Sequence, residues 1–547
     1  MTSLNVPVIA GCLVAWLLCY RYIVEPAFVS VLSKLPAIHW SAHFTPAWIL
    51  YRRWKQDDTF RVHDAHERLG PIIRLGPSEI SVNSVEGGIR TVYAGGFEKG
   101  GWYSNVFSNY GVMPMFAMPE KESHSKRKRM VSNVYAKSTL QTSNPLRNIS
   151  SILLGDRLMP RLKRVSNAGE PVEAYDIFSA LTMDFVTAYV FGLSSGSDFI
   201  RDEKRCHDFL REYKARQLYT FWPQELPNFT SLMHKIGLGS ALVPSFVNRA
   251  NREIEAWVLT MCDGAEKTLN DVDETPENHP TVYAQLRNAL LKEASKSSLD
   301  APISDLVEQH RLDLATEMLD HAMAGFDSKS TKNSPLMCSS TDTKPASGVT
   351  LTYLAWELSR PCNSTWQTAL RKEVTSTTNP DAKTIDALPI LHAILMETLR
   401  LHAAIPGNQP RLTPPSATLG APGHTLTSLP AGLRVNAQAW SLHRNASVFP
   451  NPETWDPSRW LNTKDEQSKE MSRWFWAFGS GGRMCVGSNL AVQEMKAIVV
   501  TVWWRFSTEI AEGGDRGMGH NGGYTSEPVG FGPRGRKEYL MLRFKEL

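Results

Sequence analysis

The chain has 547 residues and an ordinary globular composition, with 42% hydrophobic, 10% aromatic and 21% charged residues. Its 36 glycines and 33 prolines are too few for a collagen-like or low-complexity chain. The 59 Lys and Arg residues exceed the 55 Asp and Glu residues by only four, so net charge gives no argument for a nucleic-acid partner. Length alone, at about 150 residues per domain, predicts three or four domains.

The seven cysteines lie far apart, and none belongs to a C-x-x-C pair. This spacing indicates neither a disulfide framework nor a zinc site. Reduced thiols in a cytosolic protein are the simplest interpretation, so a single cysteine in a special setting is the feature to look for.

An apolar run opens the chain. Residues 4–20 carry no charged side chain, and the run continues past Arg21. About 20 apolar residues cross a bilayer, so the run is long enough for a tilted transmembrane helix. A cleaved signal peptide is the alternative, although no basic residue precedes the run and no A-x-A-like site follows it. We expect a membrane anchor at 1–24 and a proline-punctuated connector at 25–60, with the basic residues after the run predicting a cytosolic body.

The rest of the chain is predominantly helical in pattern and shows no repeat. The predicted elements, in order, are a small sheet within 70–93, mostly helices over 145–320 with one at 303–324, a helix at about 386–402, strands and turns over 410–440, a last helix that begins near Gly487, and a Gly-rich hairpin. The pattern predicts a mainly α protein with small β-sheets, an α+β fold.

The sharpest motif is F-x-x-G-x-R-x-C-x-G at 478–487. Its glycines permit a tight turn and a close approach to a flat ligand. Backbone N–H groups at the start of the following helix would stabilise a Cys485 thiolate and lower the pKa of the thiol. Arg483 supplies a cation for an acidic group on the same ligand. Taken alone, Cys485 is equally compatible with a buried structural cysteine, but the whole ten-residue pattern disfavours that interpretation.

These residues resemble the haem-thiolate monooxygenases, the cytochrome P450 family. The resemblance implies one large helix-rich domain, here 61–547, that holds haem b with Cys485 as the axial iron ligand. It also implies that Phe478, Gly481, Arg483 and Gly487 belong to the cofactor-binding loop. A thiolate ligand donates electron density to the iron and favours O–O cleavage.

A second family motif is the tetrad Glu397-Thr-Leu-Arg400, whose acid and base share one helix face. Most such tetrads are ordinary surface salt bridges. The family pairs this one with a downstream arginine, and Arg459 in D-P-S-R-W matches it, with Trp460 where Phe is commoner. We expect Glu397, Arg400 and Arg459 to support the haem-side loop without taking part in catalysis.

The resemblance also predicts contacts to the haem propionates. Arg411, in Pro-Arg after the tetrad helix, is one candidate. His124 and Lys128 stand where the family has Trp and Arg of W-x-x-x-R, and their i,i+4 spacing places them on one helix face. A solvated basic run is the alternative for Lys128 and its neighbour.

Ala324-Gly-Phe-Asp-Ser328 resembles the family's oxygen-side segment, in which an acid and an alcohol deliver protons. Asp327 and Ser328 are the predicted catalytic pair, with Ser in place of the commoner Thr. The family then continues the helix directly, whereas this chain inserts the polar segment 329–346, whose two prolines preclude one continuous helix. We interpret the insertion as a translated intron or a late addition, either looped out or disruptive.

The predicted function is oxidation, by hydroxylation or epoxidation, of a hydrophobic small molecule, because residues 102–118 are apolar and aromatic where the family covers its pocket. The resemblance implies microsomal fungal secondary metabolism, with a terpenoid, polyketide or alkaloid substrate. It further implies O2, electrons from an NADPH-cytochrome reductase, optional cytochrome b5, and a single-pass endoplasmic reticulum membrane protein. Two alternatives stay open: a haem-binding protein that the insertion inactivates, and an oxygen-independent rearrangement.

Overall fold

The structure is a computed structural model. It describes residues 5–217, 219–296, 302–326, 346–377, 380–420, 423, 425–461, 465–526, 528–530 and 538–547.

Helices make up most of the described chain, as the sequence predicts. In chain order the α-helices are α1 (Asn5–Cys19), α2 (Ala47–Lys55), α3 (Asp58–Leu69), α4 (Gly101–Ser104), α5 (Lys121–Val131), α6 (Lys137–Thr142), α7 (Asn144–Ser151), α8 (Met159–Ala168), α9 (Ala174–Phe191), α10 (Glu203–Gln217), α11 (Phe221–Glu225), α12 (Pro227–Lys235), α13 (Gly239–Leu242), α14 (Ser245–Leu269), α15 (Thr281–Ala294), α16 (Ile303–Gln309), α17 (Arg311–Phe326), α18 (Ala346–Ser359), α19 (Ser364–Thr375), α20 (Ala382–Asp386), α21 (Pro389–Leu401), α22 (Ala439–Leu442), α23 (Glu466–Trp474) and α24 (Ser488–Arg505).

The strands form small sheets at the margins of the helical body. They are β1 (Ile72–Gly76), β2 (Glu79–Val82), β3 (Val172–Glu173), β4 (Arg411–Leu412), β5 (Ala417–Leu419), β6 (Leu426–Leu429), β7 (Arg434–Asn436), β8 (Phe506–Ile510) and β9 (Met541–Glu546). One sheet has the order β1-β2-β7-β4, a second β3-β9-β8, and β5 pairs with β6. Strand β2 runs parallel to β7, and the other pairs are antiparallel. The predicted α+β class is confirmed.

Helix α9 lies at the centre of the core and is buried on nearly every face. A helix that is apolar all round is typical of such a position. Helices α17 and α18 both pack against α9 and also contact each other. The two halves that flank the predicted insertion are therefore both part of the core.

Two sequence-based element predictions need correction. Within Val85–Ala94 the backbone is non-helical at Glu86–Gly88 and then helical, not extended, from Ile89 onward, because the buried Ile89, Val92 and Tyr93 recur at helical spacing. The helix predicted over 303–324 is two helices, α16 and α17, that meet at His310.

The N-terminal helix continues beyond α1, and Pro7–Val29 is long and apolar enough to cross a membrane. The segment that follows is attached to the body. The completely buried Arg74 of β1 donates to the carbonyl oxygen of Pro26 at 2.7 Å, and Ile38 N donates to the Arg74 carbonyl at 2.9 Å. Strand β1 therefore fixes the chain that leads from the apolar helix.

The completely buried Glu397–Arg400 pair lies at the centre of a hydrogen-bond network. Two bonds of 2.8 and 2.9 Å join Arg400 to the Glu397 carboxylate, which also accepts from Arg459 Nε at 3.3 Å and Trp460 Nε1 at 2.9 Å. Arg400 in turn donates to the carbonyls of His443, Pro452 and Thr454. The helix α21 and the loop after α22 are thus joined through one ion pair.

His443 extends this network toward the Cys485 loop. Its Nδ1 lies 2.8 Å from the Arg400 carbonyl oxygen, and its Nε2 accepts from Trp476 N at 2.7 Å. Burial and the nearby Arg400 lower the pKa of His443 to about 3. The imidazole is therefore neutral, with its proton on Nδ1, and connects α21 to the chain just before Phe478.

We predict that Arg400→Ala lowers the free energy of unfolding by about 3–5 kcal/mol, because it leaves a buried carboxylate short of its main partner. Thermal unfolding followed by circular dichroism measures the change. Arg473→Ala is the control, since the exposed Arg473 pairs only with exposed carboxylates and its loss should barely move the midpoint. Equal midpoints for the two variants would contradict the assigned importance of the network.

Candidate active site

A short loop between α23 and α24 presents Cys485. Cys485 N donates to the Phe478 carbonyl at 3.0 Å, and Met484 N donates to that of Gly481 at 3.1 Å. Gly481 has a φ of +69°, and a Cβ atom there would overlap the Tyr93 carbonyl oxygen. The loop therefore requires glycine at 481, and Gly487 is the N-cap of α24, as the motif predicts.

The Cys485 thiol is surrounded by protein, and its accessible surface lines an internal cavity. Burial raises the pKa of this thiol, whereas the N–H group of Gly487, the Lys128 ammonium and the N–H group of Ser488 lower it. The net effect is a raised pKa of the Cys485 thiol. The helix start acts in the predicted direction, but burial outweighs it.

The cavity has a volume of about 600 Å³. Near Cys485 its wall is largely apolar and comes from helices α9, α17, α21 and the chain after α21. The apolar lining residues there include Val186, Leu319, Met323, Ala324, Leu399, Ala404 and Ile405. Residues within 102–118 line it as well, as the sequence predicts.

Basic groups surround this cavity near Cys485. Arg411 donates to the Tyr103 hydroxyl at 2.9 Å, and Arg483 donates to the carbonyls of Pro119 and Glu120 at 2.6 and 3.0 Å. His124 lines the cavity and is 6% exposed. Burial and the surrounding cations, Arg483 first among them, lower the pKa of His124 to about 3. The imidazole is therefore neutral in this setting.

Lys99 belongs to the same basic group, although it is part of no sequence motif. Its ammonium nitrogen donates to the Phe116 carbonyl and lies 4.2 and 3.8 Å from the ring centroids of Tyr103 and Phe116. Burial, then Arg411 and Arg483, hold the pKa of Lys99 well below its usual value. The Asp320 carboxylate acts in the opposite direction and raises it.

Lys128 lines the same cavity, one helical turn beyond His124, but its ammonium group bonds to the cysteine loop. It donates to the carbonyls of Gly482 and Met484 at 2.9 and 3.0 Å. Lys128 therefore supports the Cys485 loop directly from α5.

A polar pair on the cavity wall was not predicted. The Tyr135 hydroxyl lies 2.6 Å from Nδ1 of His321, and His321 Nε2 has no hydrogen-bond partner among the described residues. Glu494 lines the same cavity, and burial raises the pKa of its carboxyl well above the usual value. Burial also lowers the pKa of His321 to about 4, so its imidazole is uncharged.

Helix α11 contributes Pro223 to the cavity lining, and Glu225 of the same helix joins four segments of the chain. Its carboxylate accepts from Arg434 at 2.7 Å, from Trp102 Nε1 at 2.8 Å and from Arg53 at 3.2 Å. Burial alone would raise the pKa of Glu225, but Arg434 and Arg53 outweigh it and lower the pKa to about 2. One carboxylate thus joins α2, α4, α11 and β7.

Most predicted site residues converge on one cavity. Those that line it are Phe478, Cys485, Gly487, Arg483, His124 and Lys128, and the Arg411 guanidinium lies over the ring of Tyr93 at 4.8 Å from its centroid. Asp327 and Ser328 lie outside the described residues. Lys99, Tyr135, His321 and His443 carry no local motif, and only their long-range contacts reveal them.

Comparison with known proteins identifies the family to which this arrangement corresponds. A family model described as Cytochrome P450 matches residues 48–529. Cytochrome P450 monooxygenase avaI of Aspergillus versicolor is 27% identical over 79% of this chain and 94% of its own length. Cytochrome P450 monooxygenase phqM of Penicillium fellutanum is 26% identical over 82% and 76%, respectively. Cytochrome P450 monooxygenase orf2 of Aspergillus niger is 24% identical over 86% and 85%.

That family binds a haem iron through a cysteine thiolate, and the residues present fit such a group. A thiol and several basic groups, among them the buried Lys99 and His124, face one cavity. The two propionates of a haem are the kind of anions that arginine and lysine bind when water is excluded.

We predict that Lys99→Met speeds the loss of haem about tenfold, because a buried ammonium that faces the cavity is removed. Transfer of haem to excess apomyoglobin measures the rate. The control is Lys126→Met, which removes an exposed lysine of α5. Equal rates for the two variants would show that Lys99 has no part in holding the cofactor.

Proposed function

The chain belongs to the cytochrome P450 family, and on that basis we propose that it is a membrane-anchored monooxygenase. It inserts one oxygen atom of O2 into a C–H or C=C bond of a hydrophobic small molecule of fungal secondary metabolism. The observation that carries the proposal is the convergence of Cys485 and the buried basic groups on one cavity. Relatives of similar length named as cytochrome P450 monooxygenases support it.

Each residue has a proposed task. Cys485 is the axial ligand, and a haem bound through it supplies oxygen activation. Arg411, Arg483 and Lys99, with His124, hold the propionates, and Phe478, Gly481 and Gly487 shape the loop. We propose that the Asp327 carboxylate and the Ser328 hydroxyl deliver protons to the oxygen side, from their place directly after α17 in the sequence. Glu397, Arg400 and Arg459 support the haem-side loop and take no part in catalysis.

The electrons come, we propose, from an NADPH-cytochrome reductase, with cytochrome b5 as an optional second donor. Residues 1–24 anchor the protein in the endoplasmic reticulum membrane, and residues 25–60 connect this anchor to the body. Residues 61–547 form the catalytic domain on the cytosolic side. The apolar helix at Pro7–Val29 supports this topology, and so do the basic residues that follow it.

Replacing Cys485 tests the iron ligand. We expect Cys485→Ala to abolish the 450 nm band of the reduced carbon monoxide complex, because no thiolate remains for the iron. Cys362→Ala is a matched control, since Cys362 is a free, exposed cysteine away from the cavity. Persistence of the 450 nm band in Cys485→Ala would refute the assignment.

The insertion supports a second candidate, a haem-binding protein without monooxygenase activity. The described part of the helix that leads into the oxygen-side segment runs to Phe326, and the next described helix is Ala346–Ser359. However, both helices pack against α9. This packing supports the first candidate, in which the core tolerates the insertion. Oxygen-independent rearrangement is the third candidate, and it requires neither NADPH nor O2.

Deleting residues 329–346 separates these candidates. We expect equal carbon monoxide spectra with and without the segment, because both helices already pack in the core. We also expect that product formation requires reductase, NADPH and O2 in both proteins. Product analysis with terpenoid, polyketide and alkaloid precursors under ¹⁸O2 is the measurement. A 450 nm band or labelled product that forms only after the deletion would establish the inactivated protein instead.

A further inference from the structure

A pair of histidines, His402 and His520, connects two distant parts of the chain. His402 follows α21 and is buried, and its Nδ1 lies 2.9 Å from Nε2 of His520. The other ring nitrogen of His402, Nε2, lies 3.1 Å from the Glu357 carboxylate of α18. On the far side of the pair, Nδ1 of His520 lies 3.3 Å from the hydroxyls of both Tyr353 and Ser526. The two imidazoles therefore join α18 and the end of α21 to the chain that carries His520.

The Glu357 carboxylate sets the direction of these hydrogen bonds. Burial alone would raise the pKa of Glu357, but its contacts, that with His402 first among them, outweigh burial and lower the pKa. Because a carboxylate only accepts, His402 carries its proton on Nε2 and accepts at Nδ1 from Nε2 of His520. His520 in turn accepts at its own Nδ1 from a hydroxyl. Two neutral imidazoles thus satisfy every contact in the group.

The segment that carries the second histidine is part of the cavity wall. Tyr524 and Thr525 both line the cavity. Ser526 N donates to the Ala404 carbonyl, and Gly407 N donates to the Tyr524 carbonyl, both at 3.0 Å. A Cβ atom at Gly407 would lie 2.5 Å from Tyr524 Cα, so the two stretches of chain are in direct contact. Any shift of this segment therefore moves two residues of the wall.

Ring contacts hold the histidine pair in place. The completely buried Tyr353 ring stacks on His402, with centroids 4.3 Å apart and planes 6° apart, and on His520 at 4.8 Å and 16°. The Trp440 ring meets His520 edge-on at 5.0 Å. His520 is thus fixed at both ring nitrogens and on its faces.

We propose that His520 is a positioning residue for the cavity, and that its contacts with His402 and Tyr353 hold Tyr524 and Thr525 in the wall. His520 itself does not belong to the described cavity lining, so it acts through these neighbours. This role rests on the proposed function, because the cavity is the substrate site of that function.

A positioning role through a neutral imidazole predicts a dependence on pH. The titratable and charged groups that act on the pair are Glu357 and Tyr353 of α18, Arg400 of α21 and Arg444 of the loop after α22. Burial, then His402 and Arg444, hold the pKa of His520 well below its usual value. A histidine whose pKa is lowered in place takes up its proton only after the segment opens. The stabilisation is therefore complete above the usual pKa of about 6.5 and is lost as the pH falls below it.

Hydrogen exchange of the full chain, followed by mass spectrometry, measures how often the segment opens. Exchange of the Ser526 and Gly407 amides, corrected for the intrinsic effect of pH, should rise about tenfold in the wild type from about pH 7.5 to about pH 5.5, as one histidine with an ordinary pKa in the open state predicts. His520→Leu should exchange at least about tenfold faster at pH 7.5 and lose this rise. A wild type without the rise would overturn the proposal.

His520→Gln is the conservative variant, because its amide keeps a donor toward His402 but cannot titrate. We expect exchange within about threefold of the wild type at pH 7.5 and no pH-dependent rise. His66→Leu is the control, at a buried histidine that contacts Gly70 and Ser81 outside the cavity lining, and it should leave the Ser526 amide unchanged. A rise that persists in His520→Gln, or faster exchange of that amide in His66→Leu, would contradict the assigned role.

Ligand affinity shows whether the wall responds. Clotrimazole and imidazole both bind haem iron through an imidazole nitrogen, but only clotrimazole has aryl groups that reach the cavity wall, and the Soret shift measures both affinities. His520→Leu should weaken clotrimazole at least about fivefold and leave imidazole unchanged, and equal weakening of the two would contradict the proposal. Exchange is measured without ligand and the 450 nm band is recorded separately. Failure of the monooxygenase assignment is therefore distinguishable from failure of the positioning role.

Discussion

The buried ion pair between Glu397 and Arg400 is the interaction on which the rest of the site depends. It joins α21 to the loop after α22 through side-chain and carbonyl contacts. His443 in turn accepts a hydrogen bond from Trp476 N, which fixes the backbone two residues before Phe478. The Phe478 carbonyl oxygen then accepts from Cys485 N. Because a buried charge without a partner is strongly unfavourable, this chain of contacts has essentially one arrangement. The buried contacts of the core therefore fix the position of the Cys485 sulfur.

A second constraint is electrostatic and comes from the cavity. Several buried basic groups face one space, and mutual repulsion together with burial makes their positive charge costly. The carboxylates of a bound haem would lower that free-energy cost. The same burial raises the pKa of the Cys485 thiol, and a metal cation relieves it in turn. Cofactor and protein therefore compensate each other's charges, and we infer that binding and final packing of this region are coupled.

Local motifs predicted much of this arrangement, and long-range contacts supplied the remainder. Glycines around Cys485 and the i,i+3 pair in α21 act within a few residues, so the sequence displays them directly. Lys99 and His443 matter because of partners far along the chain, namely Phe116 and Arg411 for one and Arg400 and Trp476 for the other. No local pattern records such contacts. The helical turn from Ile89 was missed because the β-branched Ile89, Thr91 and Val92 favour a strand interpretation.

The shared carboxylate of Glu225 has a consequence for how four segments of the chain can separate. Two arginines and an indole N–H from separate segments converge on it, and it is buried. Moving any one of these segments away leaves charge or a hydrogen-bond donor uncompensated in a low-dielectric setting. Helices α2, α4 and α11 and strand β7 therefore move as one unit at this contact.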